Sequence, residues 1–248
     1  MSPERNFISR QKNNKKPRVS FGVKVAAIIP SAGSGSRMRL NQDKPFVKLC
    51  GKELILHCLK PIQDFSSISE IIIVAKKKNI PRIKKLLEKH KVKKVKTVVE
   101  GGSTRSKSVS NGLSKVSPGI DYILIHDCAR PIIDKGLIKR AIDGAKRYGA
   151  SLCAVPAKAT VKQSDLKGNL VRKTLDRRII WHAQTPQVIK KSILHSAYKK
   201  AGRRSSFTDD AALVENIGKR VKLVMGSYSN IKITTPEDVK IAEALIKR

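Results

Sequence analysis

Short apolar runs rich in β-branched residues alternate along this chain with longer amphipathic stretches. Residues 23–29 read Val-Lys-Val-Ala-Ala-Ile-Ile, which is typical of a strand buried on both faces of a parallel sheet. Further strand candidates are residues 71–75, 95–99, 122–126, 151–155 and 221–225. Helical periodicity marks residues 54–64, 80–90, 105–116, 136–148 and 190–201, and a last helix that begins at Pro236. This alternation predicts an α/β fold with a mostly parallel central sheet flanked by helices.

One segment breaks the alternation. Residues 160–174 contain a turn-like Asp-Leu-Lys-Gly-Asn at 165–169, between two stretches that carry apolar residues. This pattern predicts a β-hairpin. Such an insertion, about 157–176 here, either projects as an arm that meets a partner or is an ordinary surface excursion, and the pattern alone leaves both open.

The length of 248 residues fits a single domain at 23–248, preceded by a basic segment at 1–22 that has little apolar periodicity. We expect that segment to be a disordered extension. No apolar run approaches the roughly 18 residues of a membrane span, and no secretory signal is evident, so we expect a cytoplasmic protein without a membrane partner. The four cysteines show no CxxC pairing, so neither a disulfide framework nor a zinc site is indicated.

The formal net charge of +34 raises nucleic-acid binding as a second class of function. The lysines, however, are spread over nearly every predicted helix, and aromatic residues make up only 4% of the chain, which supplies few stacking platforms. We interpret the charge as a lysine-biased solvated surface with no specific nucleic-acid partner. A steep salt dependence without sequence preference would fit this interpretation of any RNA binding.

A glycine loop follows the first predicted strand. Residues 30–38 read Pro-Ser-Ala-Gly-Ser-Gly-Ser-Arg-Met, with Lys44 and a proline shortly after. Gly33 and Gly35 let backbone N–H groups approach phosphate oxygens at the carboxyl end of a strand. A dinucleotide fingerprint would need glycine in place of the methionine, and a Walker loop would need Gly-Lys-Ser/Thr. The remaining pattern, with cations Arg37 and Lys44, predicts a nucleoside triphosphate site; an ordinary strand-to-helix turn is the alternative.

Three further segments carry polar residues at predicted strand ends. Gly101 and Gly102 form a second glycine turn that opens a helix, where exposed N–H groups suit an anion or the polar edge of a base. Asp127 follows another strand and can hold magnesium or a hydroxyl, while Arg130 can grip a phosphate; a structural Asp–Arg pair is the alternative. Lys232, between two isoleucines, either meets an anion or snorkels from an edge.

Six ordered blocks, from about residue 25 to the C-terminus, together closely resemble the 2-C-methyl-D-erythritol 4-phosphate cytidylyltransferases. The blocks are residues 30–38 with 44–45, 101–105 with 108, 126–127 with 129–131, 181–187, 208–209, and 230–232 with 234 and 236–238. The resemblance implies a Rossmann-like nucleotidyltransferase fold and a homodimer joined by a protruding β-hairpin dimerisation arm. It also implies transfer of CMP from CTP to 2-C-methyl-D-erythritol 4-phosphate, with magnesium as cofactor and release of pyrophosphate.

The resemblance also assigns roles residue by residue. Arg37 and Lys44 would stabilise the transition state, and Lys232 with Arg177 of the partner subunit would position the acceptor phosphate. Asp127 is the candidate metal ligand. The cytidine pocket would contain Ser31, Ala32, Gly33, Gly102, Ser103, Ser108 and Cys128. The acceptor site would contain Asp127, Arg130, Thr160, Arg177, Thr185 and Lys232.

Four positions depart from the commoner pattern of that family. Ser31 and Cys128 stand where alanine is usual, Ser103 where an acidic or amide residue is frequent, and Ala159 where aspartate is usual. Cys128 beside a candidate site carboxylate raises the hypothesis of thiol sensitivity. Ribitol-5-phosphate cytidylyltransferase is the alternative enzyme; Ala129 and the Trp-His-Ala sequence that begins at residue 181 favour the isoprenoid enzyme.

Overall fold

The computed structural model describes residues 22–33, 42–165, 170–202 and 207–247. Its central sheet has seven strands: β1 (Val25–Pro30), β4 (Ile68–Ala75), β5 (Val95–Glu100), β6 (Tyr122–Ile125), β7 (Ala150–Pro156), β10 (Trp181–Lys190) and β11 (Lys222–Met225). Two small antiparallel pairs complete the strands: β2 (Lys48–Leu49) with β3 (Lys52–Glu53), and β8 (Val161–Ser164) with β9 (Val171–Leu175). The α-helices are α1 (Leu54–Gln63), α2 (Ile80–Lys89), α3 (Arg105–Leu113), α4 (Lys135–Tyr148), α5 (Lys191–Ala201), α6 (Asp210–Asn216) and α7 (Pro236–Ile246).

The strand order of the central sheet is β11-β7-β10-β6-β1-β4-β5. Only β10 runs antiparallel to its neighbours, so the predicted mostly parallel sheet is confirmed. The chain passes from β1 to β4 on one side, and after β5 it returns to place β6 on the other side of β1. This reversal is a topological switch point, and ligands of open α/β sheets bind outside the carboxyl ends of the strands there.

The two faces of the sheet are covered by different helices. Along β1, Val25, Ala27 and Ile29 pack into a core that includes residues of α1, α2, α4 and α7. Ala26 and Ile28 point to the opposite core, which contains residues of α3, α5 and α6. The strand therefore reads as a continuous apolar run because both of its faces are buried.

Helix α3 lies unusually close to the sheet because Gly112 has no side chain. A Cβ at this position would lie 2.8 Å from Cγ2 of Ile28 and 2.9 Å from Cγ2 of Val74. The close approach fixes α3 against β1 and β4.

Strands β8 and β9 pair antiparallel as the predicted hairpin requires, with Val161 opposite Leu175 and Lys162 opposite Thr174. The expected turn residues 166–169 lie outside the described residues, as do residues 1–21 of the expected disordered extension. None of the described helices is long and apolar enough to cross a membrane.

Candidate active site

A cavity of about 500 Å³ opens at the switch point, within the size range of small-molecule sites. Segments that follow β1, β4, β5 and β6 build its wall, together with a 3₁₀ turn and the segment before α7. The lining residues are Pro30, Ser31, Ala32, Gly33, Lys44, Pro45, Lys76, Gly102, Ser103, Thr104, Arg105, Ser108, Asp127, Cys128, Ala129 and Lys232.

The second glycine turn needs its glycine because two loops touch there. A Cβ on Gly101 would lie 2.5 Å from Cβ of Ala32 and 3.0 Å from Oγ of Ser108. The Ser108 hydroxyl accepts from the Gly102 N–H at 3.0 Å and donates to the Thr104 carbonyl at 2.9 Å. Thr104 in turn caps α3 by accepting from the Lys107 N–H at 3.1 Å. These contacts hold the turn and the first residues of α3 at the cavity wall.

Four cationic side chains line the cavity, and Asp127 is the one carboxylate among the described lining residues. Lys44 Nζ donates to the carbonyl of Ile233 at 2.8 Å. Lys232 Nζ contacts Asp127 Oδ2 at 2.8 Å, and Arg105 Nε contacts Asp127 Oδ1 at 3.2 Å. Burial would raise the pKa of Asp127, but the charges of Arg105 and Lys232 hold it well below its usual value. A positive excess next to an ionised carboxylate suits a polyanionic ligand.

Arg105 connects this carboxylate to a second, fully buried one. Its Nη1 contacts Oδ2 of Asp210 at 2.6 Å, and Asp210 also accepts from the Tyr198 hydroxyl at 3.0 Å. Burial raises the pKa of Asp210 despite the nearby guanidinium. Arg105 Nη2 is buried and has no hydrogen-bond acceptor in the described part of the chain. A buried donor without an acceptor is rare in folded proteins.

His126 is buried and orders the start of the loop that carries Asp127. The Asp127 N–H donates to the Thr185 hydroxyl at 3.0 Å, that hydroxyl lies 3.0 Å from His126 Nδ1, and Nε2 lies 2.9 Å from the Arg130 carbonyl. A carbonyl can only accept, so Nε2 carries a proton and donates to the Arg130 carbonyl. Burial lowers the pKa of His126 to about 4, so the ring is neutral at pH 7 and Nδ1 accepts from the Thr185 hydroxyl.

We expect His126→Gln to flatten the dependence of stability on pH below neutrality. The unfolded histidine takes up a proton near pH 6.5, whereas the folded one stays neutral down to about pH 4, so stability falls as the pH falls between these values. This group alone should remove roughly 1 kcal/mol between pH 6.5 and 5.5. Urea unfolding of both proteins from pH 7.5 to 5 measures the difference, and equal slopes would contradict the assignment.

Arg130 ties the Asp127 loop to the segment that carries Lys232. Its Nη1 donates to the Asn230 carbonyl at 2.7 Å, and its Nη2 donates to the Ala183 carbonyl at 3.3 Å. Its guanidinium is thus bound to backbone oxygens outside the cavity lining. Thr185 also lies outside the cavity lining, and its hydroxyl contacts the Asp127 N–H and His126 Nδ1.

The structure places most of the predicted site residues together, but not all. Thr160 and Arg177 are exposed beside the hairpin and outside the cavity lining, and Arg37 lies outside the described residues. Ten predicted residues do line the cavity: Ser31, Ala32, Gly33, Lys44, Gly102, Ser103, Ser108, Asp127, Cys128 and Lys232.

Sequence reasoning assigned no role to two of the lining cations, Lys76 and Arg105. Arg105 lies in one of the motif blocks, directly after the cap of α3, where a role could have been inferred. Lys76 follows a predicted strand directly, but it begins a run of three lysines that resembles ordinary surface charge. Its position at a strand end was the signal that could have found it.

Cys128 lines the cavity but is only 3% exposed. Burial, and then the charge of Asp127, raise the pKa of its thiol to about 12. The reactive thiolate is therefore disfavoured, which weighs against the hypothesis of thiol sensitivity.

We expect iodoacetamide at pH 8 to modify Cys50 in the folded protein and to spare the other three cysteines. Cys50 is exposed, whereas Cys58, Cys128 and Cys153 are buried and have raised thiol pKa values. Intact mass should show one adduct, and Cys50→Ser should show none. Rapid labelling of Cys128 would contradict this expectation.

A cation-rich cavity with glycine turns, at the carboxyl edge of a mostly parallel sheet, suits the phosphates of a nucleotide, and the family comparison identifies the class as nucleotidyltransferase. The sequence profile of the 2-C-methyl-D-erythritol 4-phosphate cytidylyltransferase family (IspD) matches residues 25–248, and the chain belongs to that family. A protein of that name from Syntrophus aciditrophicus (strain SB) is 41% identical over 227 residues, covering 91% of this chain and 97% of the relative.

The solved structures agree with this assignment. The crystal structure of 4-diphosphocytidyl-2C-methyl-D-erythritol synthase from Anaerococcus prevotii DSM 20548 matches with a TM-score of 0.80 at 33% identity, covering 91% of this chain and 99% of that one. A relative from Desulfotalea psychrophila (strain LSv54 / DSM 12343), named bifunctional enzyme IspD/IspF, is 40% identical over 222 residues, or 90% of this chain. The matched region spans 56% of that longer relative.

Proposed function

We propose that this chain transfers CMP from CTP to 2-C-methyl-D-erythritol 4-phosphate, giving 4-diphosphocytidyl-2-C-methyl-D-erythritol and pyrophosphate. The observation that carries the proposal is the cavity at the switch point, where Arg105 and Lys232 pair with one ionised carboxylate and Lys44 is a further lining cation. Membership of the family supports the choice of substrates. We propose a cytoplasmic location with it.

In the proposed reaction an acceptor phosphate oxygen attacks the α-phosphorus of CTP in line. The new bond is P–O, the bond to the β-phosphate bridging oxygen breaks, and pyrophosphate leaves with its electron pair. No protein nucleophile is needed, so the protein acts by positioning and by electrostatic stabilisation. Lys44 and Arg37 would stabilise the charge that develops at the α-phosphate, and Lys232 would position the acceptor phosphate. Asp127 holds the Lys232 ammonium in place at 2.8 Å.

The base and ribose of CTP occupy the part of the wall formed by the two glycine turns. Ser31 donates both its N–H and its hydroxyl to the Val74 carbonyl, at 2.7 and 2.9 Å, and so keeps the first turn beside β4. The other proposed cytidine contacts are Ala32, Gly33, Gly102, Ser103, Ser108 and Cys128. Arg130 and Thr185 support the acceptor site through the loop of Asp127.

Magnesium is the proposed metal. Asp127 is the one carboxylate among the described lining residues, and its two oxygens already accept from Arg105 and Lys232. The described residues contain no cluster of three or more metal-ligating side chains. This wall fits a magnesium ion held mainly by phosphate oxygens and water, with Asp127 contributing at most one contact. Bound there, the ion would neutralise phosphate charge.

Radiolabelled CTP, incubated separately with 2-C-methyl-D-erythritol 4-phosphate and with ribitol 5-phosphate, tests the proposal. We expect labelled cytidylyl product and pyrophosphate with the first acceptor only. Transfer to ribitol 5-phosphate instead would identify the alternative enzyme. No transfer to either acceptor, together with tight sequence-selective RNA binding at physiological salt, would favour the nucleic-acid-binding class.

We further propose that two copies exchange their hairpins, so that Thr160 and Arg177 act in the site of the partner subunit. Both residues are exposed and lie outside the cavity of their own chain. Leu170, Val171 and Ile179, on and beside the hairpin, are 70%, 62% and 76% exposed, which a partner surface would cover.

Mixing two inactive variants tests this arrangement. A Lys44→Ala subunit paired with an Arg177→Ala subunit has one site in which both residues are intact. Random assembly should therefore restore about a quarter of the wild-type activity, because half of the dimers are mixed and each has one working site. Restoration would fail if Arg177 acted within its own chain.

A further inference from the structure

Lys76 is a cation of the cavity lining, and it shares its carboxylate partner, Asp43, with Lys78. It follows β4 directly, and its Nζ contacts Oδ1 of Asp43, while Lys78 Nζ contacts Oδ2 of the same carboxylate at 3.0 Å. The Lys76 side chain is 28% exposed and that of Lys78 is 73% exposed. Lys78 lies outside the cavity lining.

This arrangement differs from that of the other lining cations. Arg105 and Lys232 pair with Asp127, and Lys44 donates to the Ile233 carbonyl. Asp43, in contrast, has two lysines for one charge. Burial would raise its pKa, yet the hydrogen bonds from Lys76 and Lys78 keep that pKa below its usual value. If Lys76 moved away, Lys78 would still neutralise Asp43.

The location of the pair is also informative. Asp43 immediately precedes Lys44, so Lys76 lies beside the 3₁₀ turn (Lys44–Phe46) that carries a proposed catalytic cation. A nucleoside triphosphate carries about four negative charges at neutral pH, about three of them on the β- and γ-phosphates. A lysine that can leave a doubly paired carboxylate is well placed to take a share of that charge.

We propose that Lys76 is a further binding residue for the β- and γ-phosphates, and that it exchanges Asp43 for a phosphate oxygen when CTP binds. The inference rests on the proposed function, because it takes CTP as the ligand. It assigns Lys76 a role in binding the leaving group, distinct from that of Lys44 at the α-phosphate. The competing explanation is that Lys76 only pins the turn that contains Asp43.

Calorimetric titration with CTP and, separately, with CMP distinguishes these roles. Lys76→Met should weaken CTP binding by about tenfold or more, the scale of one charge-assisted contact, and should weaken CMP binding by less than about twofold. Lys77→Met is the matched control, since it removes an exposed cation next to Lys76 that lies outside the cavity lining and does not contact Asp43. It should leave both affinities within about twofold of wild type.

The variant Asp43→Asn distinguishes the exchange of Asp43 for phosphate from a purely structural role of the Lys76–Asp43 ion pair. If Asp43 competes with phosphate for Lys76, Asp43→Asn should bind CTP at least as tightly as the wild type. If the ion pair only holds the turn in place, Asp43→Asn should lose CTP affinity as Lys76→Met does. Unchanged CTP affinity in Lys76→Met, or equal losses for CTP and CMP, would overturn the inference. If the wild type binds CTP but transfers no CMP to 2-C-methyl-D-erythritol 4-phosphate, the proposed function fails while the two titrations still decide the role of Lys76.

Discussion

Replacement of Lys44 by alanine is expected to lower kcat for CMP transfer at least about 100-fold, the scale of removing one preorganised electrostatic group. Its ammonium lies in the cavity wall and is held by the Ile233 carbonyl at 2.8 Å, so it is positioned before substrate arrives. Negative charge grows at the α-phosphate as the acceptor attacks, and the lysine interacts with that charge more strongly than with the ground state.

Steady-state kinetics with saturating CTP measure this effect. Lys48→Ala is the control, because Lys48 is exposed on β2 and lies outside the cavity lining. A matching thermal midpoint for the two variants would exclude unfolding as the cause. Near-normal turnover of Lys44→Ala would disprove the assigned role. Arg37→Ala carries the same expectation, on the grounds of the sequence motif alone.

Replacement of Arg105 by methionine is expected to lower the free energy of unfolding by about 3–5 kcal/mol at pH 7, the typical cost of leaving a buried charge without its partner. Asp210 has no solvent exposure and would keep only the Tyr198 hydroxyl, while Asp127 would keep Lys232. The larger part of the loss should therefore come from Asp210.

The sign of the pH dependence follows from Asp210. Burial raises its pKa in the folded state, so the folded protein is favoured when this group is protonated and loses stability as the pH rises through that pKa. Without Arg105 the pKa of Asp210 rises further, and the deficit of the variant should shrink as the pH falls from 7 to 5. The depressed pKa of Asp127 does not act in this window, because its contribution is lost only below the pKa of an unfolded aspartate, about 4.

A double variant tests the mechanism. Asp210→Asn removes the buried charge, so Arg105→Met with Asp210→Asn should be less destabilised than the sum of the two single changes. Lys107→Met, an exposed cation on the same helix, should change the unfolding free energy by less than about 0.5 kcal/mol. A constant deficit from pH 5 to 7 would contradict the proposed role of Asp210.

Local sequence patterns predict much of the fold, but they do not predict strand β10 in full. Helices α1, α2 and α4 begin within one residue of the predicted positions, because their apolar spacing and turn residues agree. Proline usually argues against a central strand. Pro186 nevertheless lies inside β10, a central strand that is flanked by β6 and β7. The pairing with β7 is interrupted between Ala183 and Gln187, so no regular ladder bond is required of the proline.

The site was predictable where a residue follows a strand directly and less so where it depends on distant partners. Asp127 and Ser31 stand at strand ends, and their positions follow from the parallel sheet. The contact of Arg105 with Asp210 joins residues 105 positions apart and has no local pattern. The contacts of the Thr185 hydroxyl with Asp127 and His126 likewise follow only from the packing of β10 beside β6.

The segment before α7, which comes late in the sequence, contributes Lys232 to the cavity wall. Ile233 accepts from Lys44, 189 positions earlier, and its N–H donates to the Ala129 carbonyl at 2.8 Å, while its neighbour Lys232 holds Asp127. During translation, therefore, the sheet strands β1 to β7 can emerge from the ribosome before any competent site exists. A nascent or prematurely terminated chain that stops before this segment would be catalytically silent, however well its sheet had formed.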